Sequence, residues 1–130
     1  MTEIQTGVRC VLLADRHHGL SEGVRLLLQS MFEVVVMVAD EPSLLESASR
    51  LRPALAVVDL SLARRGGLGW LARLHEACPD LKVIVVSVHD EREVARAARA
   101  AGADGFVLKS RIATELLPAA ETVLAGRSFP

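Results

Sequence analysis

Tyrosine is missing from this 130-residue chain, and three phenylalanines and one tryptophan are its only aromatic residues. With 51% of the residues hydrophobic, a core must be assembled from Val, Leu, Ile and Ala. A basic excess is missing as well: 15 Lys and Arg stand against 16 Asp and Glu, for a net charge of -1. That balance argues against a standing nucleic-acid surface, which needs clustered positive charge. The only cysteines, Cys10 and Cys78, have no metal-ligand spacing and no partner motif, so they read as buried or half-buried free thiols. His17, His18, His75 and His89 lack ligand spacing too; the adjacent rings of His17 and His18 cannot readily serve one ion on a helix face. The N-terminus has no charged region followed by an apolar one, and no apolar run reaches spanning length. The expectation is a soluble, cytoplasmic protein without membrane contact.

What is present is organised around ALAVVDLSL, Ala54 to Leu62. Its apolar, β-branched run reads as a buried strand that ends on one carboxylate, Asp59. The chain then turns through Arg64, Arg65, Gly66 and Gly67 before a helical pattern starts at Leu68. Alone, Asp59 would suit an Asx-turn. Its neighbours change that reading.

In chain order, Val8 to Ala14 is a first strand ending at Asp15, followed by helical spacing of Leu20, Val24, Leu27, Leu28 and Met31. Val34 to Val38 is a second strand. Ser43 to Glu46 resembles a capping box opening a helix with Leu44, Leu45, Ala48 and Leu51 inward, and Asp40 and Glu41 stand near its start. After Pro53 the third strand covers Ala54 to Val58. A third helix carries Leu68, Leu71 and Leu74 and stops before Pro79. Lys82 to Ser87 is strand four; Asp90 with Glu93 is a plausible cap for an Ala-rich helix that closes at Gly102. Asp104 to Leu108 is strand five, terminated by Lys109. The last helix carries Leu116, Leu117, Ala120, Val123 and Leu124; with Thr114 as its cap, Pro118 would remove only the first intrahelical bond.

Strict alternation of five strands and five helices, without repeat, linker or low-complexity tract, predicts right-handed βαβ crossovers and a doubly wound α/β sandwich. At the carboxyl ends of the predicted strands stand Asp15, Asp59, Ser87 and Lys109, where open parallel sheets place their ligands. Together they suit phosphate chemistry. Asp59 would be a nucleophile forming an acyl phosphate, Asp15 would help hold a divalent cation, Ser87 would bond a phosphoryl oxygen and Lys109 would neutralise charge. Competing chemistries lack their motifs: DRHHG, Asp15 to Gly19, replaces the dinucleotide fingerprint, and neither a Walker A run nor a G-x-S-x-G elbow occurs.

VLLADRH at 11–17, SEGVRLLL at 21–28, LRPALAVVDLSL at 51–62, KVIVVSVHD at 82–90 and AGADGFVLKS at 101–110 carry a resemblance over essentially the whole chain. The sequence resembles a receiver domain of two-component response regulators, of the kind that precedes a LuxR-type helix-turn-helix. The resemblance implies a flavodoxin-like sheet ordered 2-1-3-4-5. It would make Asp59 the phosphoacceptor, Ser87 the switch hydroxyl, Lys109 the phosphate-contacting ammonium and Phe106 the aromatic that changes rotamer. Asp15, Asp59 and the Ser61 backbone carbonyl would hold Mg²⁺. Two departures stand out. Arg16 follows Asp15 where a second, metal-contacting acid is usual, and 63–66 lacks the common proline and second aspartate. Weak Mg²⁺ binding is therefore expected.

The function implied is a phospho-switch charged by a histidine kinase and controlling an output partner, with transcription as the expected output; it is not an enzyme. The alternative, prompted by Arg16, is a phosphorylation-independent dimerisation or binding module. Self-association is expected through helix 4, strand 5 and helix 5, with Arg92, Arg96 and Arg99 meeting Asp104 or Glu115 of a two-fold mate. Residues 1–130 are read as one receiver, with 126–130 resembling the start of a linker to an output domain outside the chain, the only route to DNA.

Overall fold

The computed structural model describes residues 9–16, 18–62 and 67–129, with 18–21 described by their backbone alone. Readings that concern Val8, His17, the 63–66 loop and Pro130, or the side chains of His18 and Leu20, lie outside the described residues. The order is β1 Cys10–Ala14, α1 His18–Gln29, β2 Val34–Val38, α2 Glu41–Leu51, β3 Leu55–Asp59, a 3-10 turn Leu60–Leu62, α3 Gly69–Ala77, β4 Lys82–Ser87, α4 Arg92–Ala100, β5 Gly105–Leu108, a 3-10 turn Lys109–Arg111 and α5 Ile112–Leu124. The five strands form one parallel sheet in the order β2-β1-β3-β4-β5. The expected doubly wound topology is the observed one.

Alternation along each strand divides the core into two layers. Leu12, Ala14, Ala56, Val58, Val83, Val85 and Phe106 face the α2–α3–α4 side, where Leu44, Ala48, Trp70, Leu71, Leu74 and Ala98 meet them. Val11, Leu13, Leu55, Val57, Ile84, Val86 and Val107 face α1 and α5 through Val24, Leu28, Leu116, Ala120 and Val123. Each fully buried Leu, Ile or Val contributes roughly 1.5–3 kcal/mol. β3 is buried at all five positions, Asp59 included, which makes it the central strand of both layers. The rare aromatics are not marginal: Trp70, Phe32 and Phe106 are all buried. Cys10 and Cys78 are free, half-buried and buried respectively, and burial pushes both thiols up.

Several expected boundaries move, each for a local reason. α2 starts earlier than the Ser43–Glu46 capping box, because the Asp40 carboxylate takes the Ser43 N–H at 2.8 Å and Pro42 suits a first turn. Leu51, expected inward, is exposed at the end of that helix. β3 runs one residue further than expected, to Asp59 itself. Asp104 stays outside β5 because its carboxylate accepts Val83 N–H at 2.9 Å, so the strand opens at Gly105. Asp90 does not cap α4; Glu91 occupies the N-cap position without a side-chain bond. Thr114 does not cap α5, which begins at Ile112, so Pro118 lies past the first turn. Pro118 and Thr114 are both exposed, so water can serve the carbonyl that a proline leaves without a donor.

The segment expected to begin a linker is tied to the sheet. Phe129 N–H donates to Asp104 O at 3.0 Å, Phe106 N–H donates to Phe129 O at 3.3 Å, and Phe129 pairs with Gly105 in parallel. This single bridge covers part of the outer edge of β5, which would otherwise invite pairing with another chain. A Cβ at Gly105 would fit tightly, meeting Ile84 and Val123 methylene and methyl carbons at 3.2 and 3.3 Å and Phe129 Cβ at 3.4 Å, so a larger residue there requires these side chains to give by a few tenths of an ångström.

Candidate functional site

The site forms where β1 and β3 end side by side at the centre of the sheet. Parallel pairing aligns Ala14 with Val58 and Asp59 with Val86, so the chain segments that follow all emerge on one rim. Asp15 leaves β1 there, its N–H held by Val38 O at 3.0 Å, and both Asp15 and Asp59 are buried, at 7% and 4% exposure. Lys109, immediately after β5, reaches back across the rim and its Nζ donates to Asp59 Oδ2 at 2.7 Å. A narrow crevice is lined by Asp15, Asp59 and Lys109 over a floor of Leu13, Val57 and Val86. Asp15, Asp59 and Lys109 are thus brought together as the strand ends predict.

The 3-10 turn after β3 bends back onto its own carboxylate. Ser61 N–H donates to Asp59 Oδ1 at 3.2 Å, and Ser61 Oγ–H donates to Oδ2 at 2.9 Å. Burial pushes the Asp59 carboxyl up, but the Lys109 ammonium, the two Ser61 donors and a hydrogen bond with Asp15 outweigh it and hold it below its ordinary value. Asp59 is therefore ionised at neutral pH: a buried nucleophile with ready-made donors. The sequence reading assigned Ser61 only a carbonyl and missed this hydroxyl. A serine two residues past a strand-ending Asp is the signal for such a turn.

Ser87 and Phe106 are placed differently. Ser87, 1% exposed at the end of β4, accepts His89 N–H on its Oγ at 2.9 Å. Phe106 lies inside β5 within the α2–α3–α4 layer of the core. Arg16 is exposed, yet its Nη1 donates to the Ser61 carbonyl at 3.2 Å. The third expected metal ligand is thus already engaged by a guanidinium. Among the described residues, no group of three or more His, Cys, Asp or Glu side chains is arranged to hold a metal ion. None of the described helices is long and apolar enough to cross a membrane.

Comparison with known proteins follows the same line. Residues 11–121 match the family model "Response regulator receiver domain". The chain is 31% identical over 118 residues to the nitrate/nitrite response regulator protein NarL of Escherichia coli, covering 89% of this chain and 55% of that protein. It is 28% identical to the transcriptional regulatory protein DegU of Brevibacillus brevis, over 92% of this chain and 51% of the relative. The chain thus spans about half the length of these curated relatives. Among solved structures, a LuxR-family two-component response regulator from Aurantimonas sp. SI85-9A1 superposes with a TM-score of 0.85 at 28% identity, over 95% of this chain and 89% of that one. With the sheet order, the strand-end carboxylates and the family match in agreement, the chain belongs to the response regulator receiver domains, signalling modules of the LuxR/NarL type.

Proposed function

We propose that Asp59 is the phosphoacceptor of this receiver, charged by a histidine kinase, and that the charged state alters an output partner that regulates transcription. The observation that carries this reading is the 2.7 Å contact of Lys109 Nζ with the buried, ionised Asp59 at the sheet's carboxyl rim. A carboxylate oxygen attacks phosphorus, and Lys109 then meets negative charge on the transferred group. Ser87 Oγ would exchange its bond with His89 N–H for one to a phosphoryl oxygen, and Phe106 would follow as the β4–β5 region tightens. Phosphorylation by acetyl phosphate, read by intact mass and localised by peptide mapping, is expected at Asp59. Label on any other residue, or none in wild type or in any Arg16 variant, overturns the assignment. The alternative of a phosphorylation-independent binding module finds no support among the relatives.

The residues fit Mg²⁺ poorly. Asp15, Asp59 and the Ser61 carbonyl would be its ligands, but that carbonyl accepts from Arg16, and both Asp59 oxygens carry donors. Mg²⁺ needs near-octahedral oxygen ligation with carboxylates facing the ion, and any binding here is weak.

Self-association through α4, β5 and α5 remains our reading of the outer face. A groove of about 310 Å³ lies there, lined by Arg92, Ala95, Phe106, Leu108 and Phe129 among others. The expected acidic partners are engaged within the chain, Glu115 with Arg111 at 3.4 Å and Asp104 with Val83 N–H, so Arg92 and Arg96 would need other acceptors on a mate. Sedimentation equilibrium is expected to show dimers as concentration rises; a monomer throughout, with and without phosphodonor, removes the idea.

A further inference from the structure

We infer that Arg16 is the built-in cation of the Asp59 site and that the site takes a phosphoryl group without a divalent metal. The inference rests on the reading of Asp59 as acceptor and adds what supplies the positive charge. Arg16 directly follows Asp15, which is hydrogen-bonded to Asp59, and its Nη1 holds the carbonyl of Ser61, the residue whose N–H and Oγ hold Asp59. The guanidinium is therefore fixed to the same turn that fixes the acceptor.

Charge and donor geometry agree. For Asp15 and Asp59 to hydrogen-bond, one of the two carboxyls carries a proton, so with Arg16 and Lys109 beside them the cluster holds no surplus of negative charge before any ion arrives. A divalent cation would enter with no net attraction, against two positive groups, and with one carbonyl ligand taken. A phosphoryl group meets the opposite situation. In the transfer, an Asp59 carboxylate oxygen forms the new bond to phosphorus as the bond from phosphorus to the donor's acetate oxygen breaks, its electron pair leaving on acetate. The product carries up to one more negative charge than the carboxylate it replaces, on three acceptor oxygens. Lys109 is already in contact with the acceptor. Arg16 spends one of about five guanidinium donors on Ser61, and its planar fork suits phosphoryl oxygens with the rest. Because the side chain is exposed, it can turn onto the adduct without moving the core.

The test uses the wild-type chain, Arg16→Gln and Arg16→Asp, each incubated with acetyl phosphate in EDTA or in Mg²⁺ and read by intact mass. Mg²⁺ is also titrated by calorimetry with no phosphodonor present. Arg16→Gln keeps a donor for the Ser61 carbonyl but removes the charge, which separates a tether from a cation. Wild type is expected to label at the same rate in EDTA and Mg²⁺ and to show no Mg²⁺ heat. Arg16→Gln should lose about tenfold in EDTA, and Arg16→Asp should bind Mg²⁺ at least about tenfold more tightly than wild type and label only with it. Wild-type labelling that disappears in EDTA and returns with Mg²⁺ overturns the inference and leaves Asp59 as acceptor. Equal labelling of wild type and Arg16→Gln in EDTA also overturns it. No label on any of the three proteins under either condition overturns the acceptor reading and the inference together.

Discussion

Lys109→Met is expected to lower stability by about 3 kcal/mol at neutral pH, and the loss should shrink as the pH falls. The ammonium pairs directly with the Asp59 carboxylate at 2.7 Å, and neither partner is freely exposed, with side-chain exposures of 16% and 5%. Breaking a buried pair from one side strands the remaining charge, which costs about 3–5 kcal/mol; the two Ser61 donors keep this case at the lower end. The pH dependence follows from the depressed titration of Asp59. A carboxyl held below its unfolded value, about 3.9, contributes stability that is present above that pH and lost as pH falls through the folded value. Without Lys109, burial acts with less opposition and Asp59 protonates more readily, so the variant suffers most where the carboxylate must stay charged. Urea melts at pH 7 and near pH 3.5 should show a large difference from wild type at the first and a small one at the second. Adding Asp59→Asn to Lys109→Met should recover most of the neutral-pH loss. An equal deficit at both pH values would place the role of Lys109 in packing by its methylenes instead.

Trp70→Ala is expected to cost about 3–5 kcal/mol, the largest single-residue loss in the α2–α3–α4 layer. Trp70 is 1% exposed and is the largest of the fully buried side chains. Its indole Nε1 is also buried with no hydrogen-bond partner among the described residues. An unsatisfied buried donor costs about 1–3 kcal/mol, so part of the gain from burying the ring is already offset. Trp70→Phe should therefore cost far less than the lost area implies, about 1 kcal/mol or less, because it removes the orphaned N–H together with some volume. Thermal melts of the two variants decide. If Phe costs as much as Ala, indole shape rather than polarity governs this position.

The sequence was most legible where pattern repeats. Runs such as Leu55 to Val58 and Lys82 to Ser87 name their own strands, because a strand buried on both faces tolerates little but apolar side chains. Alternation with helical spacing then leaves few topologies, and the observed order is the expected one. Helix ends were less legible. Whether Asp40 or Ser43 caps α2, or whether Asp90 caps α4, depends on local bonds of similar strength that small shifts of backbone decide.

Likewise, the sequence by itself determined that Asp15, Asp59, Ser87 and Lys109 would share one rim, since each ends a parallel strand. It could not say which of them touch. Lys109 is 50 positions from Asp59 and Arg16 is 45 from Ser61, separations whose closure depends on how the turns after β3 and β5 bend. Only the tertiary structure placed Ser61 Oγ on Asp59, turned Ser87 toward His89 N–H, and seated Arg16 on the Ser61 carbonyl. It also paired Phe129 with Gly105 at the edge of β5. Apolar periodicity encodes which face a residue joins; the partner of a polar atom is set by a few tenths of an ångström between loops, and no periodicity carries that.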